Sequence, residues 1–159
     1  MKNISLLFGL LFVISCSNDS TDDITTPPGP DYEVWTGANI TFIKAPNTDA
    51  GDAANQDRIT SNVAITRGTS GGEIFNAVSE SDATENVSPR GTKWAVGNIS
   101  DVESLSFSSF RSAVGKPKNV VGKNLVMHIE ADNVYLSVKF LSWVSSQSGG
   151  FSYERSTKD

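Results

Sequence analysis

Hydrophobic positions are distributed in two ways along the chain. Between Ile4 and Ile14 they are nearly continuous, interrupted by Ser5 and Gly9. Beyond residue 31 they come in short β-branched and aromatic runs at 40–44, 63–67, 74–78, 93–96, 125–130, 134–143 and 151–155, with Gly, Ser, Asn and Asp clustered in the gaps. Short runs bounded by turn formers predict strands. At this spacing they predict an all-β fold, an antiparallel β-sandwich (jelly-roll-like) or a partly closed barrel, as one domain over 31–159. One stretch carries a helical start signal, the capping-box pattern Ser100-Asp101-Val102-Glu103 ahead of Leu105, Phe107 and Phe110. The apolar spacing there fits neither the helical nor the strand period, so a short helix or turn is expected.

The clearest local pattern is a hairpin. If Asp132-Asn133 is a two-residue turn, Ala131 faces Val134, Ile129 faces Leu136, Met127 faces Val138 and Leu125 faces Phe140, all of them apolar. The same pairing sets Glu130 opposite Tyr135, His128 opposite Ser137 and Val126 opposite Lys139 on the other face. A one-residue slip would exchange the faces and destroy this sorting.

The first apolar run follows Met1 and Lys2. At about 1.5 Å per residue it would be roughly 18 Å long as a helix, short of the roughly 30 Å hydrocarbon core of a bilayer. A positive start and a short apolar middle have the form of a secretory signal peptide over 1–15. The run ends in Val13-Ile14-Ser15-Cys16, and Cys16 is the sole cysteine. There the chain resembles a bacterial lipoprotein lipobox, which implies cleavage before Cys16, a diacylglycerol thioether on Cys16 and attachment to a lipid bilayer. Residues 16–30 hold Asp19, Asp22 and Asp23, one aliphatic residue and a Pro-rich end. They bury too little to offset their ordering entropy and read as a disordered tether. Their acidic start resembles the export tag of Bacteroidetes-type surface lipoproteins, which implies an outer-membrane, cell-surface location.

Composition sharpens this picture. Thirteen Gly, six Pro and a hydrophobic fraction of 38% in 159 residues fit one turn-rich domain and argue against a helical bundle. Thirteen basic against eighteen acidic side chains give a net charge of −5, so nucleic acid is not an expected partner.

Four groups of residues suggest chemistry. Gly68-Thr69-Ser70-Gly71-Gly72 matches G-x-S-x-G and resembles the nucleophile loop of chymotrypsin-type proteases, but no histidine precedes Ser70 and the βαβ scaffold of a hydrolase elbow is missing. A flexible loop is the expectation there, with a hydrolase using Ser70 as the last of three functional readings. Asp49, Asp52, Asn55 and Asp57 gather oxygen donors on a loop containing Gly51, a candidate Ca²⁺ site, against the alternative of a solvated loop with Asp57 paired to Arg58 or another cation. Trp35, Trp94 and Trp143, with Tyr32, Tyr135 and Tyr153, supply either core or a sugar-stacking platform. The polar face of the hairpin brings together His128, Glu130, Tyr135, Ser137 and Lys139, a candidate binding surface.

The segments Tyr135-Leu136-Ser137-Val138-Lys139-Phe140-Leu141-Ser142-Trp143 and Gly149-Gly150-Phe151-Ser152-Tyr153-Glu154-Arg155-Ser156-Thr157, together with Asn55-Gln56-Asp57-Arg58-Ile59-Thr60 and Ser88-Pro89-Arg90-Gly91-Thr92-Lys93-Trp94-Ala95, resemble an uncharacterised β-domain of exported bacterial proteins. That resemblance implies no activity and no site residue. The expected function is therefore a membrane-anchored binding or adhesion module with an extracellular glycan or protein as partner. The alternative is a structural or assembly lipoprotein without a small ligand.

Overall fold

The computed structural model describes residues 31–70, 72–145 and 147–159; the expected signal peptide, Cys16 and the expected tether lie outside them. The strands are β1 (Glu33–Trp35), β2 (Gly37–Lys44), β3 (Asp57–Arg58), β4 (Ala64–Arg67), β5 (Ile74–Asn76), β6 (Thr92–Val96), β7 (Asn124–Ile129), β8 (Val134–Trp143) and β9 (Phe151–Thr157). One α-helix, α1 (Phe110–Val114), and 3₁₀ turns at Ala53–Asn55, Ile99–Ser104 and Pro117–Asn119 join them. A six-stranded sheet runs β2-β9-β8-β7-β6, and β1 lies parallel to the start of β8. The second sheet is β3-β4-β5, and every pairing except β1 with β8 is antiparallel. The large sheet ends in open edges at β2 and β6, so the fold is all-β but not a closed barrel.

Alternation decides what the large sheet buries. Leu125, Met127 and Ile129 of β7 and Leu136, Val138 and Phe140 of β8 point inward, joined by Trp94 of β6 and Tyr153 of β9. Ile65 and Ile74 of the small sheet and Phe110 and Val114 of α1 belong to the same cluster, so both sheets share one core. Trp94 packs edge-on against Phe110 at 5.1 Å, and Phe110 meets Phe140 at 5.7 Å. Of the three tryptophans, Trp35 and Trp94 are core and Trp143 is half-buried.

The hairpin differs from its expected register by two residues. Ile129 faces Val134, His128 faces Tyr135, Met127 faces Leu136, Val126 faces Ser137, and Leu125 faces Val138. A shift of two keeps every side chain on its face, so the hydrophobic pattern alone does not distinguish the two pairings. The turn does. It spans Glu130 to Asn133, with Asn133 in the left-handed region at φ 49° and Ala131 exposed rather than in the core. Asp132 accepts hydrogen bonds from Thr60 Oγ1 at 2.7 Å and Asn62 Nδ2 at 2.8 Å, and Asn133 Nδ2 donates to the carbonyl of Asp31. Contacts from distant loops thus favour the longer turn.

Val126, expected on the polar face, is fully buried there. The 3₁₀ turn Ile99–Ser104 lies against β7 and β8 and covers part of the outer face. Leu105 comes so close to Gly97 that a Cβ at that position would collide with it. The capping box does not form: Ser100 Oγ bonds Asp101 and the turn is 3₁₀. The helical start lies later, where Ser109 Oγ accepts from Ser112 N to open α1.

A buried ionic cluster fastens the small sheet to the large one. Asp57 of β3 accepts from Arg155 Nε at 2.6 Å, Arg155 Nη2 at 2.9 Å and Tyr153 Oη at 2.7 Å, both partners on β9. Burial pushes the Tyr153 hydroxyl well up, and the adjacent Asp57 carboxylate pushes it further. Burial alone would lower Arg155, but the hydrogen bond and charge of Asp57 outweigh it and hold the guanidinium above its ordinary range.

Candidate binding site

The outer face of the large sheet is built in rows set by strand register. Lys93, His128 and Tyr135 form one row, and Ala95, Val126 and Ser137 the next. Asn124, Lys139, Glu154 and Thr41 form a third across β7, β8, β9 and β2. Where β2 and the 97–99 segment border this third row, Asn39, Asn98, Asn124, Ser137, Lys139 and Glu154 line a groove of about 190 Å³. Asn124 Nδ2 donates to Asn98 Oδ1 at 3.0 Å, which fixes both amides. Lys139 and Glu154 are cross-strand neighbours, yet among the described residues their charged ends make no ion pair or hydrogen bond with each other. The groove therefore offers amide donors and acceptors, an ammonium and a carboxylate, a set that matches a hydroxyl-rich ligand.

An aromatic cluster lies on the same face. His128 and Tyr135 stack with rings nearly parallel, 4.2 Å apart at 3°. Phe107 meets Tyr135 edge-on at 5.4 Å, and Tyr32 does so at 5.2 Å. Tyr32 Oη donates to Glu103 Oε1 at 2.9 Å, and that bond raises the hydroxyl's pKa. His128 Nε2 bonds Asn133 Oδ1 at 3.1 Å.

The candidate surface read from sequence thus divides. Ser137 and Lys139 lie in the groove, and His128 and Tyr135 form the stack beside it. Glu130 instead pairs with Lys93 at 2.9 Å near the turn. Asn39, Asn98 and Glu154 were not legible as site residues, because they come from β2, the loop after β6, and β9, far from the hairpin in sequence. The alternation of Glu154 between the inward Tyr153 and Arg155 was the one available signal for it.

The four oxygen donors proposed for Ca²⁺ are not brought together. Asp49 and Asp52 are exposed, Asp49 Oδ1 accepts from Gly51 N at 2.8 Å, and Asn55 Nδ2 donates to the Asp49 carbonyl at 2.7 Å. Asp57 is turned into the protein and held by Arg155 and Tyr153. Among the described residues no three His, Cys, Asp or Glu side chains are grouped so as to hold a metal. Ser70 Oγ donates to Asp82, while His128 is engaged with Tyr135 and Asn133.

No family model matches the chain, and comparison with curated proteins and with solved structures finds no match. Among the described residues no helix is long and apolar enough to cross a membrane.

Proposed function

We propose that the chain is a binding module for a hydroxyl-rich ligand, a glycan, held at the cell surface on the outer membrane by an acylated Cys16 and the tether that follows it. The observation that carries the reading is the pairing of Lys139 and Glu154 across the groove floor, side by side yet unbonded to each other, with the Tyr135–His128 stack on the same face. Opposite charges on neighbouring strands, not bonded to each other, hold donors and acceptors ready for sugar hydroxyls, and the aromatic cluster on the same face adds apolar surface beside them. The anchor is supported by the lipobox residues ending at Cys16. Two or more acyl chains there would make attachment stable, whereas a single chain gives marginal binding.

A glycan array probed with the purified full chain tests the ligand. A bound glycan should lose about tenfold or more in affinity, or about 1.4 kcal/mol, with Lys139→Ala or Glu154→Ala. Absence of any glycan bound above background, or a bound glycan indifferent to both substitutions, rejects the reading. Intact mass of the membrane-extracted chain tests the anchor, and an unmodified Cys16 rejects it.

A further inference from the structure

Beyond the outer-face groove, where β4, α1 and the end of β8 approach one another, Arg67, Arg111, Lys116, Lys118 and Trp143 line a cleft of about 360 Å³. Arg67 is the unusual member. It is 2% exposed, and Nη1 donates to the carbonyls of Val144 at 2.8 Å and Gly150 at 3.0 Å. Its guanidinium carbon sits 4.1 Å from the centre of the Trp143 ring, which fixes the plane of the group. Among the described residues no carboxylate pairs with it. Its Nε is buried without a partner. Trp35 Nε1 and Glu73 Oε2 are also buried without a partner, but of these three residues Arg67 alone lines the cleft.

A buried charge without a counter-charge costs free energy unless something supplies one. Burial accordingly lowers the Arg67 pKa to about 10. The surroundings do not compensate. Lys44, whose own pKa is lowered by burial and then by the charge of Arg67, adds a second cation, and its Nζ is bonded to Thr48. Arg111 is taken up by Glu73 at 2.6 Å and, more loosely, by Glu85 at 3.5 Å. Lys116 and Lys118 are exposed and make no ion pair among the described residues. Positive charge is thus concentrated in one cleft of a chain whose net charge is −5.

We propose that this cleft binds an oxyanion, the carboxylate or phosphate group of a small molecule or saccharide. With Nη1 tied to two carbonyls and Nε buried, Nη2 is the guanidinium nitrogen left to donate to such a group, and a charge-assisted hydrogen bond to an oxyanion would supply the missing counter-charge. Lys116 and Lys118 supply charge at the rim, and Trp143 holds the guanidinium in orientation.

The test is titration calorimetry of the purified full chain at low salt with inorganic phosphate, succinate and, as the neutral counterpart, succinamide. Saturable binding of phosphate, succinate or both, without binding of succinamide, is expected. Phosphate alone would assign the cleft to phosphate groups and succinate alone to carboxylates. Lys118→Glu should weaken the bound anion about tenfold, 1.4 kcal/mol, while Arg58→Glu, the same charge change outside both the cleft and the outer-face groove, should leave it unchanged. Both positions are exposed, so folding does not confound the comparison. No binding of either anion at millimolar concentration, equal binding of succinamide, or equal effects of the two substitutions would overturn the proposal. Because no sugar and no residue of the outer-face groove enters this test, failure of that groove as a glycan site would be a separate result.

Discussion

Arg155 and Arg67 are both almost fully buried, at 6% and 2% exposure, and both lie on strands that pass beside the shared core. Their surroundings are opposite. Arg155 shares two oxygens of Asp57 in a bidentate pair, with Tyr153 donating to the same carboxylate. Arg67 has two carbonyls and an indole ring but, among the described residues, no anion. The shifts follow: Asp57 holds Arg155 above its ordinary range, while burial drags Arg67 down to about 10. A buried guanidinium with its carboxylate is a clamp between strands. One without it is an unfilled electrostatic requirement, and it lies where a cleft opens.

The strongest way to break this comparison is to remove the clamp's anion. Asp57→Ala should destabilise the fold by about 3–5 kcal/mol in urea denaturation, because Arg155 is left buried and unpaired. Adding Arg155→Met to that variant should recover much of the loss, since the double change removes the stranded charge as well as the pair. A loss unchanged by the second substitution would mean that the pair matters through packing alone.

Arg67→Met should behave differently. It gives up hydrogen bonds to two carbonyls but relieves an uncompensated charge, so stability should change by no more than about 1 kcal/mol in the same assay. A loss as large as that of Asp57→Ala would show that Arg67 is a structural clamp like Arg155.

The smallest effect is one of pH. Since the folded value for Arg67 is depressed, the native protein binds fewer protons than the unfolded chain between about pH 10 and the ordinary guanidinium range. Over that window the cost of burying this group is relieved as pH rises, so its own contribution to stability increases. Anion binding runs the other way and should weaken as pH passes about 10, because Arg67 loses its charge there. Calorimetry with phosphate across that range, on the native chain and on Arg67→Met, reads the share that belongs to Arg67, and an equal fall in both would remove Arg67 from the cleft's function.

The alternation along 125–140 was sufficient to place two strands and to name Leu125, Met127, Ile129, Leu136, Val138 and Phe140 as core, although it also set the exposed Ala131 inside and the buried Val126 outside. It also placed Tyr135, Ser137 and Lys139 on the outer face. Alternation has a period of two, however, and is blind to a register shift of two; Thr60 and Asn62, reaching Asp132 from another loop, accompany the register that forms. The short strands β1 and β3 carried no periodic signal at three and two residues. Asp57 read as a loop carboxylate beside Asp49 and Asp52, and its partner lies 98 residues away on β9. Arg67 read as the end of an ordinary strand. Which side chains face inward is a local property of an alternating chain, written residue by residue. Which buried charge meets a counter-charge depends on strands distant in sequence arriving side by side, and only the packed tertiary structure decides that.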